Sequence, residues 1–385
     1  MTTHGNTLTS TLAFGLIITG MLVGLPLAGI ALARRPVSDY MEFPPLTRYI
    51  EHADFSWTAF GVFLSLNLLM LAGAGILLKK AFQKKRETAA RSRYAFPSWG
   101  WIGLALMLGG WLLAWQRYSW FARFQGHTFC LPWAGYILLV NALCRRRSGH
   151  CPLTEHPGRF LLLFPISAVF WWFFEYLNRF VQNWYYIGVD DFGPMAYTLF
   201  ASLAFATVLP AVLSTYRFLL TFTIFGYGLN RQMALTYLQQ KAVAWFILFF
   251  SGSALFLIGL FPDYLFALVW AAPLLIITSL QTLTGRISIF APMASGDWRP
   301  IISAATAALI CGFFWEMWNI GSLARWEYAV PFVNRFHIFA MPVLGYGGYL
   351  PFGLECLAIC LWMTPDKFVF PCDYYRLMTA ASHAR

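Results

Sequence analysis

Ten stretches of about 20 apolar residues follow one another along this 385-residue chain. No other feature limits its fold as strongly. A helix of that length crosses about 30 Å of hydrocarbon. In lipid the backbone must satisfy its own polar groups, which a helix does. The stretches cover residues 11–33, 57–78, 98–116, 128–144, 160–180, 195–214, 242–261, 264–282, 301–320 and 341–363. Little chain is left over, with no low-complexity tract and no room for a soluble domain. The expectation is therefore an all-α, polytopic transmembrane bundle of about ten spans, with residues 1–385 as a single membrane domain. Composition agrees, since 11% of residues are charged, against about 25% in an average soluble domain.

A formal charge of +11 would suggest nucleic acid in a soluble protein, but here the placement of the charge matters more. With the N-terminus inside, the inner loops 79–97, 145–159, 215–241 and 283–299 and the tail 364–385 hold 19 of the 27 Lys and Arg. That bias orients both termini to the cytoplasm of a bacterial inner membrane, with the loop from Lys79 to Arg93 voting most strongly. No nucleic-acid partner is expected. Ala31-Leu32-Ala33 resembles a signal-peptidase site, but the apolar run before it is long and lacks a basic n-region, which argues for retention. The outer segment 34–56 is expected to lie over the bundle as a loop or surface helix. Seven Cys show no CxxC spacing, so no disulfide framework is expected.

Within the spans the chain repeats itself. Phe170–Tyr186 reads FWWFFEYLNRFVQNWYY, and Phe313–Tyr328 reads FFWEMWNIGSLARWEY. Glu175-x-x-Asn178 matches Glu316-x-x-Asn319, and Trp184-x-Tyr186 matches Trp326-x-Tyr328. The following spans match as VLPAVLS at 208–214 and YLPFGLE at 349–355, with a fainter echo, CLPWAGY, at 130–136. The unit is thus a helical hairpin with a proline in its returning helix. It is repeated in parallel at 160–214 and 301–363, and the echo suggests a third unit at 98–144. Each Glu stands about 24 Å up its span, a turn below the outer interface. The Trp-x-Tyr pairs fall where aromatic belts sit.

Of sixteen acidic residues, only Glu175, Glu316 and Glu355 fall inside spans. An ionisable group there is a functional candidate by default, because burying it is costly unless it is paired. No Lys or Arg lies well inside any span. A carboxyl in such surroundings is cheapest as the neutral acid, able to donate a proton or a strong hydrogen bond. Asn178 and Asn319, three residues on, share a helix face with their Glu and are the expected orienting partners. Glu355 is a deeper third group, and its counterpart in the other repeat is Ser214. The plainer alternative is that these polar groups only lock helices together.

Other features carry less. His52, His127 and His337 fall on the same predicted side, without ligand spacing. Cys144, His150, Cys151 and His156 crowd an inner loop but match no zinc pattern. Gly345-Tyr346-Gly347-Gly348 opens the last span and suggests a broken or closely packed helix rather than a phosphate loop. GxSxG, HExxH, CxxC and Walker patterns are absent from the sequence, and no cofactor is expected.

The second repeat and GYLPFGLEC (348–356) resemble segments of bacterial polytopic membrane proteins of no established function, over about residues 160–385. Trp315-Glu316 is locally similar to the Trp-Glu element of the small membrane-bound terpene cyclases, whose second acidic motif has no match here. Three readings follow. One is an enzyme acting on a membrane lipid or isoprenoid by carboxylic-acid proton chemistry near the outer leaflet. The second is a transporter or lipid flippase using embedded carboxyls. The third is an anchoring subunit of a membrane complex.

Overall fold

The computed structural model describes residues 3–45, 47–83, 94–363 and 369. The basic run at 84–93 and almost all of the tail 364–385 lie outside the described residues.

The helices are α1 (Thr3–Leu32), α2 (Trp57–Gln83), α3 (Ser98–Trp115), α4 (Cys130–Ser148), the single turn α5 (Pro152–Glu155), α6 (Pro157–Val181), α7 (Pro194–Phe205), α8 (Val208–Leu220), α9 (Lys241–Ile258), the single turn α10 (Pro262–Leu265), α11 (Ala272–Leu283), α12 (Arg299–Gly321) and α13 (Tyr349–Met363). Eight helical segments are long and apolar enough to cross a membrane, which fits a multi-pass membrane protein. The stretches expected at 128–144 and 264–282 arrive instead as bent pairs. Ser119–His127 meets α4 at 72°, and Pro262–Trp270 meets α11 at 54°. In the first bend, the buried Gln125 turns its amide back to the Leu113 carbonyl at 2.7 Å. In the second, Pro273 in the first turn of α11 has no N–H to give the carbonyl four residues back, so the preceding helix cannot run on through it.

The span expected at 195–214 is broken between α7 and α8. The buried Ser167 hydroxyl of α6 stitches the break. It donates to the Phe205 carbonyl at 2.6 Å and accepts the Leu209 N–H at 2.9 Å. Phe205 and Leu209 stand four apart, so the hydroxyl sits inside what would be one ordinary helical hydrogen bond.

α12 is the central helix, packing on α3, α8 and α13, with 67% of its most apolar window buried. α2 is peripheral, with none of its window buried. It touches the bundle mainly near Gly228 at one end and near Gly347 further along.

The all-α class fits, with a little sheet beside the helices. Beyond the ends of α6 and α12, Trp184–Ile187 (β1) and Arg325–Tyr328 (β2) form an antiparallel ladder. Trp184 lies opposite Tyr328, Tyr185 opposite Glu327 and Tyr186 opposite Trp326. Aromatic residues favour a pleated, half-buried surface, and the ladder gives this segment's backbone its partners. Gly188 closes β1 at φ +69°, where a Cβ would collide with the Leu323 carbonyl. His337–Ile338 (β3) and Met341–Pro342 (β4) form a second, smaller pair. The ladder brings the C-terminal ends of α6 and α12 to the same end of the bundle.

Segment 34–56 lies over that end, carrying one short 3-10 turn at Val37–Tyr40. Arg179 donates to the carbonyls of Asp39 (2.6 Å) and Glu42 (3.0 Å). The buried His52 ring bridges Asp263 (2.7 Å) and the Gln182 carbonyl (3.2 Å).

Candidate functional site

Glu175 and Glu316 each stand in the last two turns of a buried helix, and both are 0% exposed. Oε1 of Glu175 accepts three hydrogen bonds: from Trp171 Nε1 (3.0 Å), Trp184 Nε1 (3.1 Å) and the Tyr186 hydroxyl (2.6 Å). Oε1 of Glu316 accepts two, from the hydroxyls of Tyr328 (2.6 Å) and Tyr349 (2.8 Å). Trp326 Nε1 donates to the Tyr328 hydroxyl at 2.9 Å. Neither carboxyl has an ion-pair partner among the described residues, and Oε2 of each accepts nothing there.

The two arrangements differ in one informative way. Four residues before Glu175 the helix carries Trp171, which reaches up its own face to donate. Four residues before Glu316 stands Gly312, where a Cβ would collide with the Tyr349 ring. The missing side chain lets α13 lay Tyr349 across α12 and supply a donor from outside the helix.

The asparagines do something other than expected. Asn178 Nδ2 donates to the Trp184 carbonyl (2.8 Å), and its Oδ1 accepts the Asn183 N–H (2.8 Å). Asn319 Nδ2 donates to the Trp326 carbonyl (2.8 Å), and its Oδ1 accepts the Trp326 N–H (2.9 Å). Each thus fixes the start of its strand rather than orienting its Glu directly. The effect on the site is indirect, because those strands carry the donors. Glu355 is buried in α13, and both its oxygens lack a partner among the described residues.

Trp171, Trp184 and Tyr186, which bond Glu175, and Tyr328 and Tyr349, which bond Glu316, all line one half-enclosed cavity of about 510 Å³. The carboxyls themselves sit behind these rings. Phe352 lies between the two sides, in ring contact with both Trp171 (5.7 Å) and Trp315 (6.0 Å). Trp270 adds a further face, stacked on Phe174 at 5.2 Å. The wall is overwhelmingly apolar. Its charged member is Arg325, bonded to Glu327 at 3.2 Å, and Glu327 also accepts the Tyr185 hydroxyl at 2.9 Å. Partial burial and then the Glu327 carboxylate hold the Tyr185 phenol above its ordinary range, so it stays a donor. On the α2 side, Leu66 and Met70 line the cavity while remaining 50% and 45% exposed, so the space reaches the flank of the bundle.

The sequence reading did not single out Tyr349, Trp171 or Trp270. The glycine run 345–348 was the available signal for the first, and the place of Trp171 one turn before Glu175 for the second. Trp270 has no local signal. Of the histidines, His52 bridges Asp263 and the Gln182 carbonyl, His127 stacks on Phe200, and His337 meets Asn334 at 3.0 Å. In the inner loop, Cys144 lies 3.6 Å from the His150 carbonyl, and His150 lies 3.3 Å from Glu155. Among the described residues no group of three or more His, Cys, Asp or Glu is placed to hold a metal ion.

No protein-family model, curated protein or solved structure matches the chain.

Proposed function

We propose that this chain is a bacterial inner-membrane enzyme, with both termini cytoplasmic, that takes a lipid or isoprenoid into the aromatic cavity and isomerises or cyclises it by proton transfer. The observation that carries this reading is the convergence on one apolar cavity of the hydrogen-bond donors of two buried carboxyls, neither with an ion-pair partner among the described residues.

In this mechanism one phenol–carboxyl pair, Tyr186–Glu175 or Tyr328–Glu316, is the acid. The phenol passes its proton to a carbon–carbon double bond of the substrate, and the neutral carboxyl resupplies it from Oε1, the oxygen in hydrogen-bond contact with that phenol. The carbocation so formed faces aromatic rings, whose negative faces attract cations. The other pair, whose carboxyl starts ionised, takes a proton from a neighbouring carbon through its phenol, so a double bond re-forms, the two pairs exchange protonation states and no co-reactant is consumed. Water would capture the cation, and the apolar wall keeps it out. Asn178 and Asn319 act as positioning residues through β1 and β2. Glu355 is a deeper proton carrier behind the site.

The repeat belongs to the same proposal. In the ladder each Trp of one Trp-x-Tyr segment faces the Tyr of the other, about a centre at Tyr185 and Glu327. Two equivalent hairpins meeting about a local twofold would produce that register.

The test is the lipid and isoprenoid profile of a deletion strain, complemented with wild type, Glu175→Gln or Glu316→Gln. A species should vanish on deletion, return with wild type and stay absent with either Gln variant, because Gln keeps the shape and loses the proton. An unchanged profile sinks the enzyme reading. Uptake defects with unchanged lipids would then assign transport, and tight co-purification with other chains a subunit role.

A further inference from the structure

α2 is the least packed of the long helices, and it walls the cavity. Phe63, Leu66, Asn67 and Met70 line that space, yet none of the helix's most apolar window is buried. It is pinned at both ends. At its start the Ser56 N–H donates to the Phe332 carbonyl at 2.9 Å, and Phe60 meets Phe336 with ring centroids 5.5 Å apart. At its far end Gly228 lets it close in, since a Cβ there would stand 2.7 Å from that of Ala81. Between the ends, the Asn67 amide rests against Gly347, where any Cβ would collide with it.

The stretch between the pins is built to bend. Gly61, Gly73 and Gly75 stand within α2, and a Cβ at any of them would meet nothing within 4 Å. Close packing therefore does not require these glycines, and each weakens the helix relative to alanine. The Ser65 hydroxyl donates to the Gly61 carbonyl at 2.8 Å, a side-chain bond of the kind that bends helices. These weak points bracket all four lining residues. Leu66 and Met70 line the cavity while about half exposed, so the stretch has the cavity on one side and the outside of the bundle on the other. Resting on the reading of the cavity as a lipid site, we propose that residues 62–72 of α2 are a lateral gate. The stretch bows outward at Gly61 and at Gly73–Gly75, Asn67 leaves Gly347, and an apolar chain passes sideways from the bilayer into the cavity. The gate admits molecules already dissolved in the membrane, so the occupant arrives by its apolar chain and not from water.

Full-length protein in liposomes is given palmitate carrying a mid-chain diazirine and is irradiated after set delays. Mass spectrometry locates the label on the cavity-wall segment 266–271 and, as reference, on the exposed Phe246, Phe249 and Phe250 of α9. Asn67→Cys with Gly347→Cys makes a lock. A Cβ at Gly347 would lie 2.6 Å from the Asn67 Cγ, so the two Cβ atoms stand at most about 4 Å apart, within disulfide reach. The oxidised lock should abolish wall labelling and spare the reference, and reduction should restore it. Gly73→Ala and Gly75→Ala, which add no clash, should each slow wall labelling roughly fivefold, the helix-propensity difference between the two residues. Wall labelling unchanged by the closed disulfide, or rates unmoved by both alanine variants, overturns the gate while leaving a lipid cavity. Cysteines that never pair do the same, because the resting contact is then absent. No wall labelling in wild type, with the reference labelled, removes the lipid cavity and the gate with it.

Discussion

At the scale of the residue, the site is organised around two single oxygen atoms. Oε1 of Glu175 gathers two indoles and a phenol, and Oε1 of Glu316 gathers two phenols. Burying a carboxyl without partners costs several kcal/mol, so these donors are what make the positions tolerable. Tyr328 carries more of the network than Tyr349. Its hydroxyl gives a bond to Glu316 and receives one from Trp326, whereas Tyr349 gives one bond only. Tyr328→Phe should therefore cost about 2 kcal/mol and Tyr349→Phe about half as much, read as loss of thermal stability in detergent under matched conditions. Equal losses would mean that the Trp326 indole does not depend on Tyr328.

At the scale of the element, the break between α7 and α8 shows how a span can be interrupted inside a bundle. Non-helical backbone at membrane depth is tolerated only where other protein groups satisfy it, and Ser167 does so from α6. Ser167→Ala would orphan the Leu209 N–H and the Phe205 carbonyl together. It should destabilise by about 1–3 kcal/mol, whereas Ser167→Thr keeps the hydroxyl and should recover much of that loss. Thermal melts of the two variants decide the point, and an Ala variant as stable as Thr would refute it. Such details also mark what a sequence makes legible. Apolar length is a local property, so eight segments long and apolar enough to cross a membrane follow from it, while the bends near 128 and 271 do not. The Glu-x-x-Asn pattern was legible as a shared helix face, but its meaning was not. Asn178 and Asn319 stand so near their helix ends that the nearest unmet groups are the backbone beyond, and they bond there. The β1–β2 ladder was missed because its partners lie some 140 residues apart (Trp184 and Tyr328), with nothing local to distinguish a strand from an interfacial aromatic belt. Tyr349 and Trp270 reach the site from elements that only tertiary packing brings near.

At the scale of the whole molecule, the two ends of the bundle differ in charge and contacts. At the end away from the ladder, Arg145 is exposed, Arg147 donates to the Thr221 hydroxyl at 2.8 Å, and Arg217 pairs with Glu155 at 2.9 Å. At the same end Arg299 is bidentate on Asp297 and donates to the Gly226 carbonyl. The ladder end has Arg34, Arg35, Arg48, Arg117, Arg123, Arg179, Arg325 and Arg335, of which Arg117, Arg179 and Arg325 are occupied with carbonyls and Glu327. The proposed orientation, with both termini cytoplasmic, would put the ladder, the mouth of the cavity and both Glu on the outer side. Orientation is testable with an impermeant maleimide, because five of the six described cysteines are buried and add little background. Asp191→Cys, exposed between β1 and α7, should label in intact cells, and Arg145→Cys only after permeabilisation. The reverse pattern would move both phenol–carboxyl pairs to the cytoplasmic leaflet. A substrate made in the cytoplasm would then reach them without crossing the membrane. In the expected orientation it must be flipped first, so the labelling result also decides whether a separate flipping step has to precede this chemistry.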